Sequence, residues 1–182
     1  MSRKKMNDFM RFVKSDPKNY KNIQSRLNML ASEGVDLSTK GSKGGSLLHL
    51  AVNLENEKLL LMFLKAGVKV NLASDQSDAP IHKAIIKGNK KLARILIKYG
   101  ADINITREFE QTPLHLATMQ GNLEMVDFLV TNGADLYQVD EKNEQAIDYA
   151  IDEKDKKLIK YFLSKQKVDE RKEERIEEIL NR

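Results

Sequence analysis

Residues 112–117 read Thr-Pro-Leu-His-Leu-Ala, and a version of this stretch returns every 33 residues along the chain. The other copies are Ser-Leu-Leu-His-Leu-Ala at 46–51, Ala-Pro-Ile-His-Lys-Ala at 79–84 and Gln-Ala-Ile-Asp-Tyr-Ala at 145–150. The chain's three histidines, His49, His82 and His115, therefore share one position of the period, which Asp148 occupies in the last copy. A fixed period of this length indicates stacked copies of one supersecondary unit.

Glycine marks a second position of the same period. Gly67, Gly100 and Gly133 are spaced by 33 residues, and Gly34 precedes them at the same interval. The apolar residues between these markers are spaced i, i+1, i+4, i+5, which is typical of one face of a helix. Glycine after a helix adopts the left-handed conformation without steric cost, and Thr-Pro fits an N-cap followed by proline. Each unit is therefore predicted to contain two helices joined by a tight turn, as at Gly88-Asn89 and Gly121-Asn122, and a turn-rich finger.

These motifs and their spacing resemble the ankyrin-repeat family, whose 33-residue unit carries Thr-Pro-Leu-His-x-Ala and Gly-Ala-Asp-x-Asn. The resemblance implies an all-α repeat solenoid of about four repeats, each a helix-turn-helix with a β-turn finger. It divides the chain into a divergent N-terminal helical cap over 1–34, a repeat array over 35–165 and a charged C-terminal helix or tail over 166–182. The repeats are predicted near residues 41–73, 74–106, 107–139 and 140–165.

The two ends of the array are predicted from their apolar spacing. Residues 23–30 carry apolar side chains in the register of the second helices, and residues 6–13 form an i, i+3, i+4, i+7 stripe that could cover the first repeat. Residues 166–182 are dense in charge and are predicted to be helical. That segment could fold back as a cap, pair with another chain or fray in solvent, and capping or fraying is favoured.

Composition limits the function. The 182 residues include no Cys, which excludes disulfides, thiolate catalysis and zinc sites built on sulfur. Neither a secretory apolar region nor a run of eighteen apolar residues is present in the sequence, so we expect a cytoplasmic protein without membrane insertion. The formal net charge is +4, but residues 1–45, with ten basic and four acidic side chains, carry +6. Residues 134–182, with eleven basic and fourteen acidic side chains, carry −3.

No residue pattern indicates catalysis or a cofactor. Equivalent histidines of stacked repeats would lie roughly 8–10 Å apart, whereas zinc ligands lie about 2 Å from the ion, so no metal site is predicted. The resemblance instead gives His49, His82 and His115 a structural role, hydrogen-bonding backbone between repeats, and Gly67, Gly100 and Gly133 belong to the second structural motif. The Gly-rich stretch 41–45 lacks phosphate-loop spacing and is interpreted as a flexible connector. We therefore expect a protein that is not an enzyme and has no cofactor.

The resemblance implies a partner-facing surface made of finger and first-helix positions. These positions are Asp75, Gln76, Asp78, Ile86, Lys87, Glu108, Phe109, Gln111, Met119, Gln120, Lys142 and Glu144. Three of them, Ile86, Phe109 and Met119, are apolar where solvent exposure is expected, which is typical of an interaction hot spot. In the alternative interpretation, Phe109 packs onto its own finger.

The leading functional hypothesis is a monomeric, non-catalytic module that binds a protein partner. An alternative keeps the same surface but makes the chain a bacterial effector delivered into a host cell by a non-classical route, or a toxin-neutralising protein, because the Glu-rich segment 170–178 resembles type IV secretion signals. Nucleic-acid binding is disfavoured because residues 46–133, with ten basic and nine acidic side chains, are nearly neutral.

Overall fold

The computed structural model describes residues 2–181, and their regular secondary structure is helical. Within this range, the β-type pairing consists of one isolated antiparallel bridge between Val139 and Gln145. The predicted all-α repeat fold class is therefore confirmed. No helix between residues 2 and 181 combines the length and the apolar character that a membrane crossing requires.

Four helix pairs follow the period of the sequence. In chain order the helices are α1 (Ser2–Ser15), α2 (Tyr20–Ser32), α3 (Leu47–Asn53), α4 (Glu57–Lys65), α5 (Pro80–Ile86), α6 (Lys90–Lys98), α7 (Pro113–Met119), α8 (Leu123–Thr131), α9 (Ala146–Asp152), α10 (Lys156–Leu163) and α11 (Glu170–Leu180), with a 3-10 turn at Glu108–Glu110 before α7. The first helices of the pairs, α3, α5, α7 and α9, begin 33 residues apart. Each is seven residues long, and most of its buried residues are apolar, with the motif His or Asp as the buried polar residue that the four share.

The chain divides into two compact units, one up to Asp102 and one from Ile103. The first unit contains α1–α6, and the second contains α7–α11. This boundary lies inside the predicted repeat array. Each unit has its own buried apolar residues, such as Leu60 and Phe63 in the first and Phe162 in the second.

The second helices of the first three pairs, α4, α6 and α8, end in a glycine motif. The N–H groups of Gly67 and Val68 donate to the carbonyls of Leu64 and Phe63, at 3.0 and 3.2 Å, and Gly67 has a φ of 83°. The same arrangement recurs at Gly34, Gly100 and Gly133. Only glycine adopts this left-handed conformation without strain from a Cβ, which explains the second periodic marker.

The tight turn predicted inside the second and third pairs occurs in all four. Gly88 and Gly121 have a φ of 64°, and the equivalent Glu55 and Lys154 have left-handed φ values of 49° and 55°. The next residue in each case caps the second helix, because its side-chain oxygen accepts a backbone N–H of the first helical turn. These capping residues are Asn56, Asn89, Asn122 and Asp155.

Each finger is a turn closed by two backbone hydrogen bonds. In the third finger, Arg107 N–H donates to the Gln111 carbonyl at 3.0 Å and Glu110 N–H donates to the Arg107 carbonyl at 3.1 Å. The same two bonds close the turns 41–45, 74–78 and 140–144. The fourth residue of every turn has a positive φ, and among the described fingers only the third has a second left-handed residue, Phe109, at 62°.

The ends of the chain pack against the terminal helix pairs. In the first unit, α1 buries Met6, Phe9 and Val13, and the Phe9 ring meets Phe63 of α4 edge-on with centroids 6.3 Å apart. In the second unit, α11 buries Ile176, which is 3% exposed, and contacts α9 and α10. Of the alternatives left open for residues 166–182, the described part of this segment therefore folds back as a cap.

Candidate functional site

The histidine of the first helix pair joins two fingers of the first unit. Nδ1 of His49 accepts the backbone N–H of Ser46 at 3.1 Å, which caps the start of α3. Nε2 donates to the carbonyl of Asp78 in the next finger at 2.8 Å. The ring is therefore neutral in this arrangement, with its proton on Nε2.

His115 makes the same pair of bonds in the second unit. Its Nδ1 accepts the N–H of Thr112 at 3.2 Å, and its Nε2 donates to the Glu144 carbonyl at 3.0 Å. His82 also caps its own helix, since its Nδ1 accepts the N–H of Ala79 at 3.0 Å. Each ring thus stabilises the start of a first helix.

Burial favours the neutral form of the His49 and His115 rings. It lowers the pKa of His49 and of His115 below the ordinary value of 6.5, although the carbonyls of Asp78 and Glu144 act in the opposite direction. Within residues 2–181, no group of three or more His, Asp or Glu side chains is placed to hold a metal ion.

A second set of bonds joins neighbouring repeats. Asn71 Oδ1 accepts the backbone N–H of Asp102 at 2.9 Å in the first unit, and Asn104 Oδ1 accepts that of Asp135 at 2.9 Å in the second. One period before Asn71, Ser38 Oγ accepts the backbone N–H of Lys69 at 3.0 Å. These bonds give the Asn of the Gly-Ala-Asp-x-Asn motif its physical role.

The C-terminal part of the array replaces both interactions. At the histidine position, Asp148 Oδ2 accepts the N–H of Gln145 at 2.9 Å and lies 2.9 Å from the ammonium of Lys172 in α11. At the asparagine position of the third predicted repeat stands Tyr137, a residue that is 55% exposed. The array therefore ends against α11 with a different set of donors and acceptors.

The predicted surface positions of the first unit are only partly accessible. Asp75 and Gln76 are exposed at the finger tip, where Asp75 pairs with Lys40 at 3.2 Å. Ile86, the last residue of α5, is 40% exposed, and the adjacent Lys87 pairs with Glu55 at 3.2 Å. These four predicted positions lie on the surface.

Two predicted positions are buried, and their assignment to an exposed strip is wrong. Asp78 is 2% exposed, because it supplies the carbonyl that His49 binds and therefore lies inside the finger base. Its carboxylate pairs with Lys83 Nζ at 2.6 Å. Gln111 closes the third finger and is also buried, where its amide donates to the Tyr149 hydroxyl at 3.4 Å.

Phe109 lies at the tip of the third finger and is 57% exposed. Its left-handed backbone is held by the turn bonds of Arg107 and by its own carbonyl, which accepts the N–H of Glu141 in the next finger at 3.1 Å. The ring is therefore presented to solvent on a fixed backbone. This exposure disfavours the alternative that Phe109 packs onto its own finger.

The remaining exposed positions of the second unit lie at the end of α7 and on the fingers. Met119, the last residue of α7, is 46% exposed, and the next residue, Gln120, is also exposed. Glu108 is exposed beside Phe109, and Lys142 is exposed on the fourth finger. The second unit thus places two large apolar side chains among polar ones.

A buried carboxylate organises the fourth finger. Asp140 accepts the backbone N–H groups of Lys142 and Glu144 and the hydroxyl of Tyr149. Burial raises the pKa of a carboxyl group, but these hydrogen bonds outweigh it, and the pKa of Asp140 lies below its usual range. Burial and the bond to Asp140 raise the pKa of Tyr149 to about 12. Glu144, predicted to face a partner, is half-buried and serves this finger through its backbone.

Sequence reasoning missed two exposed apolar residues next to the fourth finger. Tyr137 and Val139 lie at the base of the fourth finger, and Val139 is 37% exposed. A signal was available at Tyr137, because the position is asparagine in the two preceding copies and the motif is lost there.

Comparison with known proteins agrees with the periodic motifs. Residues 81–130 match the family model described as ankyrin repeats (many copies). No curated protein matches the chain. Together with the helix pairs, the fingers and the inter-repeat bonds, the match defines a helical repeat protein of the kind that generally binds proteins and is generally non-catalytic. The matched residues are ankyrin repeats, and the predicted resemblance of the chain to the ankyrin-repeat family is confirmed.

Proposed function

We propose that this protein is a non-catalytic binding module, and that Phe109 and Met119 are the principal apolar contacts with its protein partner. The observation that carries the proposal is Phe109, a residue that is 57% exposed on a backbone held in the left-handed region. A non-glycine residue in that region is strained, and such strain is concentrated at functional positions. An aromatic side chain on a constrained backbone has few rotatable bonds, so it loses little conformational freedom on binding.

The surface around these residues supports the same proposal. Glu108 and Gln120 are exposed next to Phe109 and Met119, respectively, so the apolar groups have a polar surround. Such a polar rim around apolar anchors is the ordinary anatomy of a protein interface. In the first unit the equivalent repeat positions are also exposed but more polar. They are Asp75, Gln76, Ile86 and Lys87.

The test compares Phe109→Ala/Met119→Ala with the wild type in affinity capture from the native cell. Leu163→Ala is the matched control, because it removes an exposed apolar side chain from the end of α10 in the same unit. We expect the double variant to lose the partner by about 30-fold, the scale of a hot-spot loss of about 2 kcal/mol. Its melting temperature stays near that of the wild type, since alanine retains the backbone strain and little buried area is lost. Unchanged capture, or a large stability loss with capture intact, refutes the proposal.

The effector alternative has one observation in its favour. All five glutamates of α11, at 170, 173, 174, 177 and 178, are exposed, while Lys172 and Arg175 pair with α9. An acidic face is therefore available to a secretion machinery. A translocation reporter fused to the wild type, and to a variant with Glu173, Glu174 and Glu177 changed to Gln, tests this role while keeping the helix. Equal translocation of the two fusions, or none of either, removes the alternative.

A further inference from the structure

The first unit contains a groove of about 450 Å³ between α1 and the first repeat. One wall is α1, with Asn7, Met10, Arg11 and Lys14. The opposite wall is formed by the finger 41–45 and the exposed end of α3. We call this the α1–α3 groove, and its volume is typical of a ligand site.

The groove occupies the repeat positions that are partner-facing elsewhere. Asn53 and Leu54 line it, and one period later these positions are Ile86 and Lys87. Lys43 stands at the finger-tip position that Phe109 holds two periods later. Helix α1 therefore adds a wall beside a surface that would otherwise be open.

This wall is attached to the finger by specific contacts. Asn7 Oδ1 accepts the backbone N–H of Ser42 at 2.7 Å, and an Arg3 guanidinium N–H donates to the Gly41 carbonyl at 3.3 Å. A Cβ built on Gly41 would lie 2.6 Å from Met10 Sδ, so glycine permits this close approach. The Gly-rich stretch is thus a closed turn against α1, and the groove is pre-organised.

The lining of the groove is cationic over an apolar floor. Arg11, Lys14 and Lys43 line it, and among its thirteen described lining residues none is Asp or Glu. Arg11 has a loose pair with Asp8, at 3.7 Å, and both side chains are mostly exposed. Met10 and Leu54 supply apolar surface. The positive charge of residues 1–45 is therefore concentrated in part around a concave site.

We propose that the α1–α3 groove binds an acidic peptide segment of a partner protein. Carboxylates of the segment pair with Arg11, Lys14 and Lys43, and an apolar side chain packs on Met10 and Leu54. Among the described lining residues there is no Phe, Tyr or Trp on which a base could stack, which favours a peptide over single-stranded nucleic acid. The inference rests on the proposed binding function and adds a second contact site with a defined chemistry.

The probe is a fluorescein-labelled peptide, Glu-Glu-Leu-Glu-Glu-Leu, and the matched peptide has Gln in place of Glu. Binding to the full chain is followed by fluorescence anisotropy. Arg11→Gln/Lys14→Gln is the groove variant, and Lys43→Gln is a second one that leaves α1 unchanged. The matched control, Lys21→Gln/Lys91→Gln, removes the same charge from exposed positions of α2 and α6 in the same unit, outside the groove.

We expect the groove double variant to bind the acidic peptide about tenfold more weakly, and Lys43→Gln about threefold more weakly, which are the scales of a few exposed charge pairs. The control changes affinity less than about twofold, and the Gln peptide binds weakly to every form. Phe109→Ala/Met119→Ala binds the acidic peptide as the wild type does. Loss of partner capture by that variant with intact peptide binding therefore separates the two proposals.

Four outcomes overturn the inference. Equal weakening by the control variant would assign the effect to net charge, and equal binding of the Gln peptide would remove the charge recognition. Competition by an oligo-dT strand at a similar concentration would assign the groove to nucleic acid. Self-association of the wild type that is abolished by Arg11→Gln/Lys14→Gln, measured by sedimentation velocity, would assign it to a second copy of the chain.

Discussion

Replacing Lys172 by methionine removes one ammonium group from α11 and keeps an unbranched side chain. Its Nζ lies 2.9 Å from Asp148 Oδ2 and 3.0 Å from Gln145 Oε1, and only 18% of the Lys172 side chain and 11% of the Asp148 side chain are exposed. The backbone N–H of Gln145 still donates to the carboxylate in the variant. Lys172→Met therefore leaves a largely buried carboxylate with one hydrogen bond and without its counter-charge.

The expected loss lies between two known cases. Removing one partner of a fully buried ion pair destabilises a protein by about 3–5 kcal/mol, whereas an exposed pair contributes about 0.2–1 kcal/mol. The remaining exposure and the bond from Gln145 reduce the first figure, which gives about 2 kcal/mol for Lys172→Met. For a chain of this length, that corresponds to a melting temperature about 4–8 °C lower.

The assay is a double-mutant cycle with Asp148→Asn, Lys172→Met and the double variant, measured by urea unfolding. We expect the double variant to be more stable than the sum of the single losses predicts, by about 1 kcal/mol or more, because it contains no unpaired charge. Arg175→Met is the control on the same helix. Arg175 pairs with Asp152 at 2.6 Å, but about half of each side chain is exposed, so its loss should stay below about 1 kcal/mol.

The result that would refute this reasoning is additivity. If the two single losses add within about 0.5 kcal/mol, the residues do not act as a pair. A loss at Arg175→Met as large as at Lys172→Met would likewise show that burial does not determine the effect. Hydrogen exchange of α11 provides an independent check, since only Lys172→Met should substantially increase the exchange of this helix.

Two further predictions concern pH and backbone strain. Because the pKa values of His49 and His115 lie below 6.5, the unfolded chain binds more protons below that pH, so stability is complete above it and falls on acidification towards about pH 5. Thermal melts above pH 6.5 and near pH 5 check this, and a higher melting temperature at the acidic pH would contradict it. Gly121→Ala should destabilise by about 1 kcal/mol from left-handed strain alone, since the nearest atom to an added Cβ is 3.8 Å away. Lys154→Gly, at the equivalent position, should be neutral or stabilising by up to about 1 kcal/mol in urea unfolding. Stabilisation by Gly121→Ala together with destabilisation by Lys154→Gly would refute the strain argument.

The fold was predictable because its determinants are local and periodic. Glycine at Gly67 and its equivalents has one steric reason to recur, and the apolar stripe reports a helix face directly. The left-handed turns at Glu55 and Lys154 were not predictable from residue type, since neither is glycine and only the repeat imposes the conformation. Local rules therefore predicted the backbone conformation wherever the residue type favours the conformation that it adopts.

The surface was less predictable because it depends on which side of a turn each residue faces. Asp78 and Gln111 occupy the same finger position and are both buried, since the finger base supplies bonds to neighbouring helices. The α1–α3 groove was equally hidden, because α1 is far from Lys43 in sequence and only packing brings them together. Exposure at Phe109, by contrast, followed from its place at a finger tip.

The departures of the last repeat from the motif are consistent with one another. In the earlier repeats, His49 and His115 each donate to a carbonyl 29 residues later. At the equivalent place in the last repeat, the chain 29 residues later lies in α11, whose backbone is used within the helix. A histidine at 148 would therefore lack its carbonyl and face a cation, whereas Asp148 accepts a hydrogen bond and matches the donor that Lys172 supplies. In the earlier repeats the motif residue donates and the neighbouring carbonyl accepts, whereas here Asp148 accepts and Lys172 donates. Because both members of the pair have changed in matching ways, the pair specifies an end to the array rather than a degraded copy of the repeat.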